Sequence, residues 1–167
     1  MRSLHTCRLT DFVDVMIGNR NVAFKTKDAM LVATRTEQPY PNFRRIIPTG
    51  NEIELKFNKQ DMLDVVKRAM LTANEQSSLL KLSINSMCMK IVSEDIMFSK
   101  KTYEECPCEC IGGDIEIGLK GTYVLSMLNS IESEDVLVTM KEPRRPILWH
   151  DSLNNFKVLI QMPCQLV

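Results

Sequence analysis

Three cysteines at alternate positions, Cys106, Cys108 and Cys110, form a C-x-C-x-C run that could bind a metal ion. Zinc sites in proteins usually take four ligands, with thiolates supplied by C-x2-C type pairs. On an extended strand, alternate side chains point to the same face of the strand. Three such side chains span a distance larger than the coordination sphere of one metal ion. Neither His5 nor His150 lies near the run in sequence. We therefore predict inert thiols and no metal site, and keep a thiol–metal protein as an alternative that zinc analysis would decide.

Paired carboxylates can act as general acid and base, and acidic clusters occur at Glu104-Glu105 and at Glu132, Glu134 and Asp135. Each cluster lies in or beside a turn-rich stretch, which favours solvated surface over catalysis. The sequence contains neither a G-x-x-x-x-G-K-[ST] phosphate loop nor a G-x-S-x-G nucleophile motif. We predict that the protein is not an enzyme and needs no cofactor.

The composition predicts a folded domain rather than a tail, a fibre or a membrane span. Of the 167 residues, 44% are hydrophobic and 25% are charged, which allows both a core and a solvated surface. No apolar run approaches the roughly 20 residues of a membrane helix, and Met1–Thr10 lacks the apolar core of a signal peptide, so we expect a cytoplasmic protein with no membrane partner. The 21 basic and 21 acidic residues cancel. Residues 1–50 carry a net charge of +4 and residues 51–167 a net charge of −4. Neither part is therefore basic enough to be typical of a protein that binds DNA tightly by itself.

The first part of the chain predicts three short strands. Apolar and polar residues alternate over Val13–Ile17 and Asn21–Thr26, on either side of a Gly-Asn turn, and a third stretch covers Ala29–Thr36. Three prolines then predict an extended, non-helical connector over residues 39–48. We place a domain boundary at the turn formed by residues 49–51.

Beyond the boundary, one pattern of elements occurs twice. Residues 52–57 alternate as a half-buried strand, and Asn58 can cap a helix that runs to about Asn74. A second helix carries Val124, Leu128 and Ile131. Further strands are predicted over Leu80–Ile84, Met87–Ile91, Ile96–Cys110, Ile115–Gly118, Val136–Met140, Ile147–Trp149 and Phe156–Met162. The strand–helix–three-strand unit therefore occurs twice between 52 and 162. A partial third copy precedes it, in which Ile17, Val22, Phe24, Asp28 and Met30 match Ile84, Met89, Ile91, Asp95 and Met97 at an offset of 67. This repetition indicates a modular, pseudo-symmetric α+β fold.

Three stretches, in order and at matching spacing, resemble the bacterial sliding clamp, the β subunit of DNA polymerase III. Tyr40–Pro48 is similar to the family's linker between its middle and last domains. Asp114–Gly118, running into Tyr123–Leu125, resembles the strand that leads into the family's last inner helix. Gln161–Leu166 resembles the family's Met-Pro-x-x-Leu tail. The likeness covers about residues 12 to 167.

The resemblance implies a clamp fold, in which each domain has two helices backed by antiparallel sheets. Residues 49–167 would form one complete C-terminal domain, and residues 1–48 a remnant of the middle domain and linker. In the family, two chains close head to tail into a ring around duplex DNA, which it holds without reading sequence. The implied function is a non-catalytic processivity subunit that tethers polymerase and other replication or repair proteins. The alternative is a truncated, clamp-derived interaction module that binds clamp partners without forming a ring.

The resemblance also implies two sets of binding residues. The family's replication partners, polymerase and clamp-loader subunits among them, insert short peptides with apolar anchors into a groove between the middle and last domains. Matching positions place this groove at Pro41, Arg45, Ile46, Ser77, Lys120, Tyr123, Arg144, Pro146, Ile160, Gln161, Met162, Pro163, Cys164, Gln165 and Leu166. The DNA-facing candidates on the inner helices are Lys67, Arg68 and Lys120.

Ring closure in the family joins the last domain of one chain to the first domain of the other. Phe98–Tyr103, at the edge where many members carry acidic residues, is basic and aromatic here. The sequence shows no counterpart of the family's first domain or of the first half of its middle domain. We therefore expect the homo-oligomer of the family, a durable two-chain ring, not to form from this chain alone.

Overall fold

The computed structural model describes residues 12–36, 38–154 and 156–166. The described residues up to Asn42 form one compact unit, and those from Phe43 onward form a second. The predictions made for Met1–Thr10 lie outside the described residues, and the division into domains at residues 48 and 49 stays a prediction. Within the described part of the chain, no helix is long and apolar enough to cross a membrane.

The first unit is a three-stranded antiparallel sheet. Its strands are β1 (Asp14–Ile17), β2 (Asn21–Lys25) and β3 (Met30–Thr34), paired in that order. The Gly18 amide donates a hydrogen bond to the Asn21 carbonyl at 2.8 Å, which closes the first hairpin. The three strands predicted from alternation are confirmed.

The connector contains one turn of 3-10 helix at Phe43–Arg45, closed by the Ile46 amide, which donates to the Phe43 carbonyl at 2.9 Å. The prediction of a connector without helix is wrong over this turn. The prolines lie at 39, 41 and 48, so the residues between Pro41 and Pro48 keep their amide hydrogens and can close one turn.

The second unit has two helices and two antiparallel sheets, which confirms the predicted α+β class. Its elements are β4 (Ile53–Asn58), α1 (Lys59–Met70), β5 (Leu79–Ile84), β6 (Cys88–Asp95), β7 (Lys100–Pro107), β8 (Glu109–Ile111), β9 (Ile115–Lys120), α2 (Gly121–Ser130), β10 (Asp135–Met140), β11 (Ile147–Asp151) and β12 (Leu159–Gln161). One sheet has the order β12-β11-β10-β4-β8, and the other β7-β6-β5-β9. Helix α1 packs against α2 and against β4, β6 and β7.

Helix α1 begins where the sequence predicts and ends earlier. The Asn58 side chain accepts hydrogen bonds from the amides of Gln60 and Asp61 at 2.9 and 3.2 Å, as expected of an N-cap. The helix ends at Met70 rather than near Asn74. Asn74 instead accepts the amides of two following residues in a turn, which competes with helix continuation.

The core lies between the helices and the inner faces of both sheets. Its side chains come from both copies of the repeated unit, so alternation along the strands correctly predicted which residues are buried. Phe57 and Trp149 meet edge to face with ring centroids 6.2 Å apart. The two sheets therefore share one core, and their outer faces and edges remain for binding.

Several predicted strand boundaries are wrong. Ile96–Ser99 is a hairpin turn rather than strand, with Ser99 at a φ of 51°, and β7 begins only at Lys100. Strand β9 runs past Gly118, and β12 covers only part of the stretch from 156 to 162. Alternation of apolar residues marks an extended region but does not show where the chain reverses.

Candidate functional site

The C-terminal segment, residues 162–166, lies against strand β9. The Cys164 amide donates a 2.7 Å hydrogen bond to the Gly118 carbonyl, and the two residues form an antiparallel bridge. A Cβ at Gly118 would lie 2.7 Å from the Cys164 carbonyl oxygen and 3.0 Å from Leu166 Cδ2. The absence of a side chain at Gly118 therefore permits the close approach of this segment, which we call the tail.

Strand β12 and the tail connect the two sheets of the second unit. Ile160 and Gln161 pair with β11, where Gln161 lies opposite Ile147. The buried Gln161 side chain donates to the carbonyl of Lys120, the N-cap of α2, at 3.5 Å. The chain thus leaves the five-stranded sheet at Gln161 and crosses to the end of β9, where α2 begins.

Tyr123, in the first turn of α2, exposes 55% of its surface, and Met162 at the start of the tail exposes 56%. The Lys120 Nζ lies 5.4 Å from the centre of the Tyr123 ring. The Gly121 amide donates to the Ser78 carbonyl at 2.7 Å and fixes the start of α2 beside the start of β5. An aromatic plate with a polar tip and a flexible thioether are side chains suited to holding apolar groups of a partner.

The structure brings most of the predicted groove residues of the second unit onto connected elements. Ser77 and Leu166 line one cavity of about 550 Å³. Half-buried Pro146 immediately precedes Ile147, the residue opposite Gln161. Half-buried Pro163 and exposed Gln165 flank Cys164 in the tail.

Four other groove candidates lie elsewhere in the structure. Arg45 and Ile46 lie at the exposed 3-10 turn that opens the second unit. Arg144 is exposed in the turn between β10 and β11. Pro41 belongs to the first unit, so its part in the groove stays a prediction.

Sequence reasoning missed the apolar part of that cavity wall. Leu79 and Val92 on the outer sheet face, with Ile96 and Met97 of the β6–β7 turn, line the cavity beside Leu166. The sequence signal for this apolar wall was the Leu79-Leu80 pair. Two adjacent residues on one strand point to opposite faces of the sheet, so one of these two apolar side chains has to lie on the outer face.

The DNA-facing candidates on α1 are largely paired within the protein. Arg68 donates to both carboxylate oxygens of Glu104, with Nη2 2.8 Å from Oε2. This hydrogen bonding raises the pKa of Arg68 and lowers the pKa of Glu104. Lys67 lies 3.9 Å from Asp64 and is 60% exposed in its side chain. Helix α2 contains no charged residue of its own. Lys120 is its N-cap, and Lys157 Nζ donates to the carbonyl of Ser130, its last residue, at 2.9 Å.

The cysteine run is buried for most of its length. Burial raises the pKa of the Cys106 and Cys108 thiols to about 11, and it also raises the pKa of Cys110. The Cys108 thiol donates to the Asn85 carbonyl at 3.8 Å. Over residues 12–36, 38–154 and 156–166, no three His, Cys, Asp or Glu side chains are grouped to hold a metal ion. Thiols with such pKa values stay protonated at neutral pH and are poor nucleophiles.

These pKa values predict a loss of stability at alkaline pH. Below pH 9.0, the ordinary thiol pKa, folded and unfolded chains both keep the protons of Cys106 and Cys108. Above it the unfolded chain ionises first, so the free energy of unfolding falls as the pH rises toward 11. We expect a loss on the order of 1–2 kcal/mol per thiol, measured by urea unfolding across this range. Cys106→Ala should flatten the dependence, and an unchanged slope in that variant would contradict the assignment.

The sequence pattern of one protein family, described as DNA polymerase III beta subunit, C-terminal domain, matches residues 44–165. A curated protein named beta sliding clamp from Pseudomonas aeruginosa is 22% identical over 154 residues, covering 92% of this chain and 42% of the relative. The beta sliding clamp of Escherichia coli K12 is 22% identical over 152 residues, covering 91% and 41%. The chain thus spans about two fifths of the length of these relatives.

Solved structures agree in fold. The crystal structure of the DNA polymerase III subunit beta from Pseudomonas aeruginosa superposes with a TM-score of 0.80 at 22% identity, covering 92% of this chain and 42% of that one. A sliding clamp from Bartonella birtlesii bound to griselimycin gives 0.81 at 21% identity, covering 92% and 41%. These similarities confirm the predicted clamp fold and the predicted resemblance.

Proposed function

The chain belongs to the DNA polymerase III β-subunit family, whose C-terminal domain matches residues 44–165, and on this premise we propose that it is a sliding-clamp processivity subunit that captures partner peptides. The relatives are sliding clamps, non-catalytic subunits of the polymerase, so the prediction that the chain is not an enzyme is confirmed. The proposed capture site is formed by Tyr123, Met162, Pro163 and the rest of the tail. Partners would be polymerase and clamp-loader subunits that carry a short peptide motif.

One observation carries the proposal: the tail is held on β9 by the bridge between Gly118 and Cys164. With this bridge, exposed Met162 and half-buried Pro163 lie at the end of the domain where α2 begins, and Tyr123 lies in the first turn of that helix. A segment outside the helices and strands forms a good peptide wall only if it is held in place, because ordering it on binding would cost free energy. The occupant proposed for the site is a peptide with a Gln and a Leu-Phe type apolar end.

The second half of the proposal is that the domain forms part of a ring that encircles duplex DNA. A ring retains DNA by topology, so its inner surface should not bind phosphates strongly enough to stop sliding. The pairing of Arg68 with Glu104 and the uncharged surface of α2 favour such a weakly binding lining. Tethering the polymerase at the primer end then acts through effective concentration rather than through chemistry.

Peptide titration tests the capture site with a matched pair of variants. Tyr123→Ala removes the aromatic plate and should weaken the dissociation constant of a labelled peptide about tenfold, since one buried apolar side chain contributes roughly 1.5–3 kcal/mol. Thr122→Ala changes the neighbouring exposed residue of α2 and should leave affinity unchanged. Fluorescence anisotropy provides the measurement. If both variants weaken peptide binding equally, or if neither variant weakens it, the assignment of Tyr123 is contradicted.

The alternative function, an interaction module that does not encircle DNA, is favoured by the same weakly basic helices. Retention on circular DNA distinguishes the two. A ring should stay on a nicked circle and slide off once the circle is linearised, whereas a module should be retained on neither. Peptide binding is expected under both, so the two halves of the proposal fail independently.

A further inference from the structure

Strand β7 forms one edge of the β7-β6-β5-β9 sheet of the second unit, and no other described strand pairs with its outer side. Its outward side chains, Lys101, Tyr103 and Glu105, are all exposed, and Tyr103 exposes 70% of its surface. The adjoining turn adds the exposed apolar residues Ile96 and Met97. A long edge strand next to apolar side chains is a surface that pairs readily with another strand.

The free backbone groups of this edge belong to the same three residues. The Cys108 amide donates to the Met87 carbonyl at 3.1 Å, and the register between β6 and β7 continues from this pair. Bonding residues alternate in an antiparallel ladder, so the even-numbered residues of β7 bond to β6. The amides and carbonyls of Lys101, Tyr103 and Glu105 therefore point away from the sheet.

We propose that β7 pairs antiparallel with β7 of a second copy of this chain, around a two-fold axis beside Tyr103. This register places each Tyr103 opposite the Tyr103 of the second copy, and each Lys101 opposite Glu105 of the second copy. All of these residues have outward backbone groups, as an antiparallel hydrogen-bonded pair requires. Pro107, which lacks an amide hydrogen, ends the new ladder.

Charges already present on β6 extend the complementarity across the whole interface. Lys101 lies opposite Glu94 at 3.1 Å between Nζ and Oε2, and Glu105 lies opposite Lys90 at 3.8 Å. Across the paired sheets, one row of neighbouring side chains would therefore consist of Glu94 and Lys101 of one copy, followed by Glu105 and Lys90 of the second copy. The signs alternate along this row, and each neighbouring cross-strand pair is attractive.

The central row and the competing register support the same choice. Val92 lies opposite Tyr103 within one chain, so the row on the two-fold axis is apolar from β6 to β6 of the second copy. Moving the axis to Thr102 would set Lys101 against Tyr103 and Lys100 against Glu104 of the second copy. Glu104 is already held by Arg68, so that register gains less.

This contact is isologous, because the same strand contributes from both copies, and it differs from the head-to-tail closure between unlike domains that the resemblance implied. It does not rest on the peptide site. It uses the edge through which the resemblance implies ring closure, so β7 self-pairing and a ring closed at β7 exclude each other. Strand pairing alone buries a small area, so we expect a reversible dimer in the micromolar range that weakens as salt rises.

Sedimentation velocity over a range of about 1 μM to about 1 mM tests the pairing. K101E or E105K alone places like charges opposite each other and should weaken dimerisation at least about tenfold. K101E/E105K together, or an equal mixture of the two single variants, restores opposite charges and should recover most of the dimer. Tyr103→Pro removes an amide that no described strand of the same chain uses, and it should abolish dimerisation while circular dichroism stays unchanged.

Lys56→Glu makes the same charge change on an exposed lysine of the other sheet and should leave dimerisation unchanged. Three outcomes would overturn the proposal: a monomer throughout the concentration range, a dimer that survives Tyr103→Pro, or a double variant no better than the two single variants. Recovery in the mixed sample, with loss in each variant alone, would support the stated register.

Discussion

Gly118→Ala should strongly weaken peptide capture while the domain stays folded. The added methyl group would lie 2.7 Å from the Cys164 carbonyl oxygen and 3.2 Å from Leu79 Cδ1, so the tail has to move away from β9. The tail is joined to β9 by one isolated bridge, so it can be displaced without separating the two sheets. We expect the dissociation constant for the labelled peptide to weaken by about tenfold to a hundredfold, as the loss of one or two apolar anchors implies.

A matched control lies on the same strand and the same face. Glu116→Ala removes an exposed side chain that pairs with Lys81, and it should leave peptide affinity unchanged. Deleting residues 162–167 should reproduce the effect of Gly118→Ala in fluorescence anisotropy. Full affinity in the deleted protein would show that the tail is not a wall of the site.

Local patterns in the sequence were sufficient to predict most of the elements. Alternation located β4, β5 and β10, and the Asn58 cap located the start of α1, because these signals depend on neighbours within one turn or one strand. The turn at Ile96–Ser99 escaped prediction since its apolar residues continue the strand pattern although the chain reverses there.

The candidate site was predictable only in its residue types. The tail and Tyr123 were assigned through the resemblance, but the contact that holds the tail joins Gly118 and Cys164, which are distant in sequence. Arg68 likewise looked like a free basic residue on a helix, and only the packing of α1 against β7 reveals its ion pair with Glu104. Tertiary pairing of this kind leaves no periodic signal in the sequence.

The largest loss of stability is expected from Gly112→Ala, in the turn between β8 and β9. Gly112 has a φ of 101°, a conformation that side chains rarely adopt. A Cβ there would collide with the Glu52 carbonyl oxygen and would lie 2.9 Å from the Ile53 Cα. Both are backbone atoms at the start of β4, which pairs with β8 and β10, so relief requires the sheet itself to shift. We expect the free energy of unfolding to fall by about 3 kcal/mol or more.

Gly113→Ala separates the two causes of that loss. Gly113 also has a positive φ, 115°, but an added Cβ would meet nothing within 4 Å. Strain alone should then cost about 1–2 kcal/mol. Urea unfolding of both variants at neutral pH measures the difference, which reports the close approach of the turn to β4. Equal losses would mean that backbone strain accounts for both, and that the contact with Glu52 and Ile53 relaxes at little cost.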